Sequence, residues 1–369
     1  MTAVQDAVQQ TLNRLIAGGT ETALQVAVYH HGRLIVDAWA ATPGRTISGA
    51  SLFPIFSTGK GIQATAIHIL VQKGILALDD RVSRWWPEFA AHGKHDITVR
   101  QLLNHTAGMA MMPEHGFMDD VADWDGMCRK LAAMAPFPAP GSARFYHAIT
   151  QAWLLGETAR RADGRDFSRL IHEEIARPLG LDGMFFGLPD SALHRVQDAE
   201  PAPPAAPTIA STSASSAPAP APPGSPAAII PGRSVPSWIG PLEQWINRPA
   251  VRKSCIPAST GFMNARSIAR HYAALIGDGV DGIRLISEKT LENALHDPPL
   301  PGEIHGRGLG YAVSGPDSDP AASFGHAGHG GSSGWADRRH GLAYGFAKSR
   351  MGSACDEIVS VVRAGIATA

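Results

Sequence analysis

Apolar residues recur at helical spacing from Val4 through Ala7, Val8, Leu12, Leu15 and Ile16 and stop at Gly18-Gly19, which predicts an amphipathic helix at the start of the chain. Leu24 to Tyr29 and Arg33 to Trp39 are β-rich runs joined across His30-His31-Gly32, as in a hairpin with glycine at its turn. After Pro54 the period changes. From Ser57 to Lys73 the apolar positions Ile62, Ala66, Ile69 and Leu70 fall at helical intervals, and Gly74 stands where a helix would stop. From there to about residue 195 the pattern is of helices broken by Pro and Gly, at 97–103, 153–162 and 167–176. A helix at 267–276, short strands at 308–313, 334–336 and 342–348, and a last helix at 355–366 complete the reading. A hairpin first, helices in the middle, then strands and a helix predict a mixed α/β layer from residues 1–50 and 300–369, with a mainly helical domain, 51–299, inserted into it.

One stretch departs from this alternation. In residues 199–228, Ala, Pro and Ser fill 25 of 30 positions, and Glu200 is the one charge. Such a segment cannot bury enough apolar surface to offset its ordering entropy and reads as a disordered loop. Elsewhere, 44% hydrophobic and 18% charged residues make an ordinary globular composition. A formal charge of -1 leaves no basic excess for a nucleic acid partner. The first residues lack the basic and apolar regions of a signal peptide, and no apolar run approaches the ~20 residues of a membrane span, so a cytoplasmic protein is expected. The three cysteines lie far apart, and the 16 histidines form no H-E-x-x-H, with His92 and His95 in a polar loop. Neither a disulfide framework, nor a metal, nor a cofactor is expected.

The first candidate for chemistry is Ser57-Thr58-Gly59-Lys60. A serine hydroxyl is a poor nucleophile until a base takes its proton, and a lysine three residues on lies on the same helix face. To act as that base the lysine must be partly neutral, which burial promotes. With 26 serines and only seven lysines, chance alone supplies about half a match, and this is the sole Ser-x-x-Lys in the chain. The plain alternative is a helix-capping serine beside a surface lysine.

Longer blocks decide between them. The segment FPIFSTGKGIQATAIHILVQKGILALDDRVSRWWPEF resembles the nucleophile helix and following turn of the serine β-lactamase and penicillin-binding-protein superfamily. ITVRQLLNHTAGM (97–109) is similar to that superfamily's Leu-Leu-x-His-Thr-Ser-Gly signature, with Ala107 in place of Ser. PGSARFYHAITQAWLLGETARRADGRDF, IPASTGFMNARSIARHYAAL and FGHAGHGGSSGWAD resemble three further blocks, so the likeness covers about residues 50 to 345 in order. It is closest in character to the esterase, D-aminopeptidase and transacylase branch, family VIII carboxylesterases included, that is similar to class C β-lactamases.

The resemblance implies an antiparallel sheet flanked by helices with an inserted helical domain, Ser57 as nucleophile, and Lys60 and Tyr146 as its proton-transfer pair. A phenol with an ordinary pKa near ~10 would serve as base only if a close cation such as Lys60 favoured the phenolate. The resemblance also places His326-Ala327-Gly328 where lactamases carry Lys-Thr-Gly, gives His326 a donor role toward Tyr146 or the substrate, and implies an oxyanion hole from the backbone N–H groups of Ser57 and His329. Gly328, Gly330 and Gly331 would let backbone approach the substrate. A slipped register, with His329-Gly330-Gly331 as the third element, is the alternative.

Two departures bear on the substrate. Ala148 stands where lactamases have the Asn of Tyr-x-Asn, and His326 supplies no permanent cation for a carboxylate, so a small-molecule ester is favoured over a β-lactam. The implied activity is a carboxylesterase working through an acyl-enzyme; an acyltransferase, a D-aminopeptidase or amidase, and a non-catalytic scaffold are the rivals. Gly330-Gly331-Ser332-Ser333-Gly334 also fits the G-x-S-x-G elbow of another hydrolase fold, but that motif needs a helix after it and a strand pattern follows instead. His105, in Asn104-His105-Thr106, reads as a hydrogen-bonding structural residue.

Overall fold

The computed structural model describes residues 3–203, 234–300, 308–315, 319, 321–352 and 355–367. Among the described residues the strands are β1 (Ala23–His30), β2 (Arg33–Ala41), β3 (Phe53–Pro54), β4 (Met184–Phe186), β5 (Gly261–Met263), β6 (Ala312–Ser314), β7 (Ser323–Ala327), β8 (Ser333–Asp337) and β9 (Leu342–Lys348). The helices are α1 (Ala3–Ala17), α2 (Gly59–Gln72), α3 (Val99–Leu103), α4 (Trp124–Ala133), α5 (Gln151–Asp163), α6 (Phe167–Ile171), α7 (Leu242–Ile246), α8 (Pro249–Lys253), α9 (Ala265–Ala273), α10 (Glu288–Leu295) and α11 (Cys355–Ala367).

Six strands form one antiparallel sheet in the order β2-β1-β9-β8-β7-β6, so the two ends of the chain supply a single layer. The period of two in β1 explains how it is held. Leu24, Val26 and Val28 join Val4, Val8 and Leu12 of α1 and Ile358 and Val362 of α11 in one apolar cluster, while Ala23, Ala27 and Tyr29 face the main core on the other side. On that second face α9 lies directly on the sheet. Gly334 and Gly345, paired across β8 and β9, make this approach possible, because a Cβ on Gly334 would come within 2.4 Å of Ile268 and one on Gly345 within 2.4 Å of the Ala265 carbonyl. The exposed edge, β2, is partnered by α1: Asp37 N–H donates to Gln5 Oε1 (2.8 Å), and Gln9 Nε2 donates to the Trp39 carbonyl (3.0 Å).

The pattern-derived elements need several corrections. The helix expected from Ser57 begins at Gly59, after a 3₁₀ turn over Phe56–Thr58. The strand expected at 308–313 is found at 312–314, and the helix expected at 167–176 turns from α to π winding at His172. A second, three-stranded sheet, β3-β5-β4, has no counterpart in the sequence reading. From residue 204 the Ala/Pro/Ser segment lies outside the described residues. Its first residues are anchored, for Ala199 exchanges hydrogen bonds with the Asn247 side chain (3.0 and 2.8 Å) and Glu200 N–H donates to the Ser349 carbonyl (2.9 Å). Among the described residues, no helix is long and apolar enough to cross a membrane.

Candidate active site

Ser57 owes its place to the small sheet. β3 pairs with β5, Ile55 N–H then donates to the Gly261 carbonyl (2.9 Å), and the chain turns sharply through Phe56, whose φ of 46° is left-handed. A left-handed phenylalanine is a strained conformation that only surrounding contacts sustain. Here it lifts Ser57 to the start of α2, half-buried, with the Phe56 ring edge-on to His329 at 5.8 Å.

Lys60, the second residue of α2, is 1% exposed. Its Nζ donates to the Ala148 carbonyl (2.7 Å) and lies 5.1 Å from the centre of the Tyr146 ring. Desolvation, with no carboxylate to offset it, holds the amine well below the ordinary lysine pKa. Tyr146 comes from an irregular segment before α5. The residue is 45% exposed, yet desolvation of its hydroxyl pushes the pKa up to about 12 against a hydrogen bond with Ser57 that favours the phenolate. Burial thus disfavours the charged form of both groups, which favours Lys60 as the base and works against the condition under which Tyr146 would serve as one.

β7 brings in the third element. The His326 ring stacks on Tyr146 at 6.1 Å, and burial, with a smaller contribution from Lys60, lowers its pKa to about 4. Its Nδ1–H donates to the Ala327 carbonyl (2.7 Å), so Nε2 is left as an acceptor. The donor role expected for His326 is thus reversed by its own backbone. Two more imidazoles back the tyrosine. His147 is buried, donates from Nδ1 to the Phe145 carbonyl (2.7 Å), accepts the Met109 N–H at Nε2 (3.1 Å) and is lowered to about 4 by burial. His105 meets the Tyr146 ring edge-on at 4.9 Å. The floor of the site is thus a set of imidazoles, His147 buried and His105 and His326 half-buried, whose protonation desolvation disfavours. Arg144, whose charge reaches His105, is turned to the Asn104 carbonyl and Asp297.

The β7–β8 turn is fastened to the Ser57 turn. Ser332 Oγ donates to the Ile55 carbonyl (2.7 Å) and shares a hydrogen bond with Thr58 Oγ1 (3.1 Å). Ser332, the serine of the G-x-S-x-G match, is 2% exposed and committed to this clamp. Gly328 sits inside it, whereas Gly330 and Gly331 face Met351 and the Gly352 carbonyl. The element against the Ser57 turn is therefore His326-Ala327-Gly328, and the slipped register is not adopted. A Cβ on Gly328 would lie 2.2 Å from the Ile55 carbonyl and 2.3 Å from Ser332 Oγ. Gly328→Ala is accordingly expected to push β7 off the Ser57 turn and lower ester kcat by about 100-fold, with a melting temperature lower by a few degrees. Steady-state kinetics and a thermal melt check this; an unchanged kcat would show that the fit is irrelevant to turnover.

Sequence reasoning missed His147 and the Thr58–Ser332 clamp. Neither carries a spacing signal, since both arise from segments that meet only in the folded chain.

Comparison with known proteins finds relatives along nearly the whole chain. The family model described as Beta-lactamase matches residues 8–364. The esterase/beta-lactamase LipL of Mycobacterium tuberculosis is 31% identical over 88% of this chain and 76% of its own length. A family VIII carboxylesterase structure superposes with a TM-score of 0.81 at 29% identity, covering 100% of this chain and 98% of that one. A penicillin-binding protein homologue from Caulobacter crescentus superposes with a TM-score of 0.77 at 33% identity, over 99% and 97%.

Proposed function

This chain belongs to the beta-lactamase family and is a serine hydrolase; from that premise we propose that it cleaves uncharged carboxylic esters through an acyl-enzyme on Ser57. The observation that carries the reading is the buried, unpaired-with-carboxylate Lys60 beside a tyrosine that is hydrogen-bonded to Ser57. A neutral amine is a competent base, and the phenol between it and the serine is a relay. As Ser57 Oγ bonds to the ester carbonyl, its proton passes to Tyr146 while the phenol's own proton passes to Lys60. Backbone N–H groups of Ser57 and His329 hold the oxyanion, and the new Lys60 charge favours it further. On collapse the C–O bond of the alcohol breaks, the proton returns through Tyr146 to the leaving oxygen, and water repeats the sequence to release the acid.

The same floor argues for the substrate class. Burial disfavours the charged form of Lys60, His326 is a neutral acceptor, and Arg144 is engaged elsewhere, so none of these three offers a standing cation to a substrate carboxylate. Ala148 gives only its backbone carbonyl, to Lys60, and no side-chain amide. The sheet from residues 1–50 and 300–369 and the helical part from 51–299 would frame the cleft between them. The test is a panel of a short neutral ester, its analogue bearing a carboxylate on the acyl chain, and a β-lactam, read by turnover and by intact mass. The neutral ester is expected to exceed the anionic one by at least about tenfold in kcat/KM, the effect of ~1.4 kcal/mol, with an acyl adduct on the Ser57 peptide. Preference for the anionic ester would overturn the substrate class, and an adduct elsewhere would overturn the nucleophile.

A further inference from the structure

Tyr146 has no ladder to hold it: residues 143–147 belong to neither helix nor strand, although the hydroxyl at their centre must stay on Ser57. What fixes this segment is the 104–108 stretch beyond α3. The Asn104 carbonyl accepts from Arg144, the Thr106 carbonyl accepts the Gly141 N–H (2.8 Å), and the Gly108 carbonyl accepts the Phe137 N–H (2.7 Å). Asn104 is itself tied down. Its Nδ2 donates to the buried Asp297 carboxylate (2.8 Å) and its Oδ1 accepts from Thr106 Oγ1 (2.7 Å).

At the centre of that stretch His105 has a φ of 64°, a conformation that glycine or asparagine adopts at less cost than histidine. A strained residue persists where the surrounding structure uses it. The use is visible in three contacts. The His105 carbonyl accepts the Phe145 N–H (2.9 Å), and its Nδ1 accepts the His147 N–H (3.2 Å). These are the residues immediately before and after Tyr146. The imidazole then meets the Tyr146 ring edge-on, 4.9 Å between centres and 61° between planes, and lies nearly parallel to the His147 ring at 5.4 Å. Glycine would supply the first contact and asparagine the first two; the third needs a ring.

We propose that His105 is a positioning residue that holds Tyr146 from both flanking peptides and from its ring, so that the phenol can hand its proton to the leaving alcohol. The inference rests on the acyl-enzyme reading above and goes beyond it, since that reading needs Tyr146 in place and is silent on what keeps it there. For Nδ1 to accept, the ring proton sits on Nε2 and the imidazole is neutral. Burial, with His147, Lys60, His326 and Arg144 around it, disfavours a second proton and keeps the acceptor available.

The leaving group provides the test. An alkoxide needs Tyr146's proton to depart, whereas a nitrophenolate departs unaided, so a displaced Tyr146 hurts alkyl esters more than activated aryl esters. His105→Gly keeps the backbone contact and relieves the strained φ, and is expected to melt within a few degrees of the parent. On an ethyl ester its kcat/KM is expected to fall by about 100-fold, and on the p-nitrophenyl ester of the same acid by under about tenfold; kcat/KM is compared because hydrolysis of the shared acyl-enzyme does not enter it. His105→Asn, which tolerates the φ and offers Oδ1 to the His147 N–H, is expected to recover most of the ethyl-ester rate. Equal losses on both esters, no loss on either, or no recovery by asparagine would overturn the proposal. If the glycine variant does not fold, His105→Asn is read alone, and a loss on the ethyl ester as large as that of Tyr146→Phe overturns the proposal. Tyr146→Phe separates the two levels. A Tyr146→Phe chain without leaving-group selectivity overturns the acyl-enzyme reading of the tyrosine, while a selective Tyr146→Phe beside an unselective His105→Gly overturns the role of His105 alone.

Discussion

Ser57→Ala is expected to lower ester turnover by about five orders of magnitude while leaving the chain folded. Removing the nucleophile removes the covalent route entirely, and what remains is whatever the oxyanion donors and substrate binding achieve with water alone. The structural cost is small, because Ser57 is half-buried and its side chain contributes one hydrogen bond, with Tyr146, of about 1 kcal/mol net. The melting temperature should therefore move by no more than a few degrees. The expected result has a built-in comparison in Ser332, which stands in a nucleophile-like motif but donates its hydroxyl to the Ile55 carbonyl. A fluorophosphonate probe should mark the parent and leave Ser57→Ala unmarked. A probe adduct on the Ser57→Ala chain, or turnover within about tenfold of the parent, would return Ser332 or another serine to consideration.

What could be read from the chain beforehand divides along a physical line. The hairpin β1–β2 and the strand Leu342–Lys348 were legible because they are runs of β-favouring residues with glycine at or near their ends, and such runs are written in the sequence. The strands β3, β4 and β5 were not, since two or three residues are too few to show a period. Yet those strands set the Ile55–Gly261 bond from which the Ser57 turn departs. The same holds within the site. Ser57 and Lys60 announce themselves by spacing, and Tyr146 and His326 by the blocks around them. The protonation states do not: a lysine whose acceptor is the Ala148 carbonyl and a histidine whose proton is taken by Ala327 are products of burial and of backbone direction. Neither quantity is local to the residue concerned. The left-handed Phe56 belongs to this second group, for phenylalanine does not signal a positive φ.

Lys60→Met is expected to lower ester kcat by about a thousandfold and, in the neutral range, to make the chain harder to unfold. The two effects have one cause. In the folded chain the buried Lys60 is held well below the ordinary lysine pKa, while in the unfolded chain it titrates near ~10.4. Between those values the unfolded state binds one proton more, so the parent's stability rises with pH by about 1.4 kcal/mol per unit, up to the unfolded pKa. Methionine, similar in length and apolar, carries no such linkage. Against this gain stands the Ala148 carbonyl, which loses its 2.7 Å partner and costs about 1–3 kcal/mol when left unbonded. Near pH 10 that loss decides, and the variant is the less stable chain. As pH falls the linkage term overtakes it, and the two stability curves cross about one to two units below ~10.4. Groups away from Lys60 titrate alike in both chains, and burial keeps His105, His147 and His326 neutral above pH 7, so the difference between two urea-unfolding series at pH 7 to 10 isolates Lys60. Parallel curves would mean that the folded chain keeps a charged Lys60, and with it the neutral-base mechanism would fall. Curves that converge and cross would show that the protein bears an unfavourable neutral amine at its centre, a state that burial imposes and that the removal of a proton from Ser57 requires.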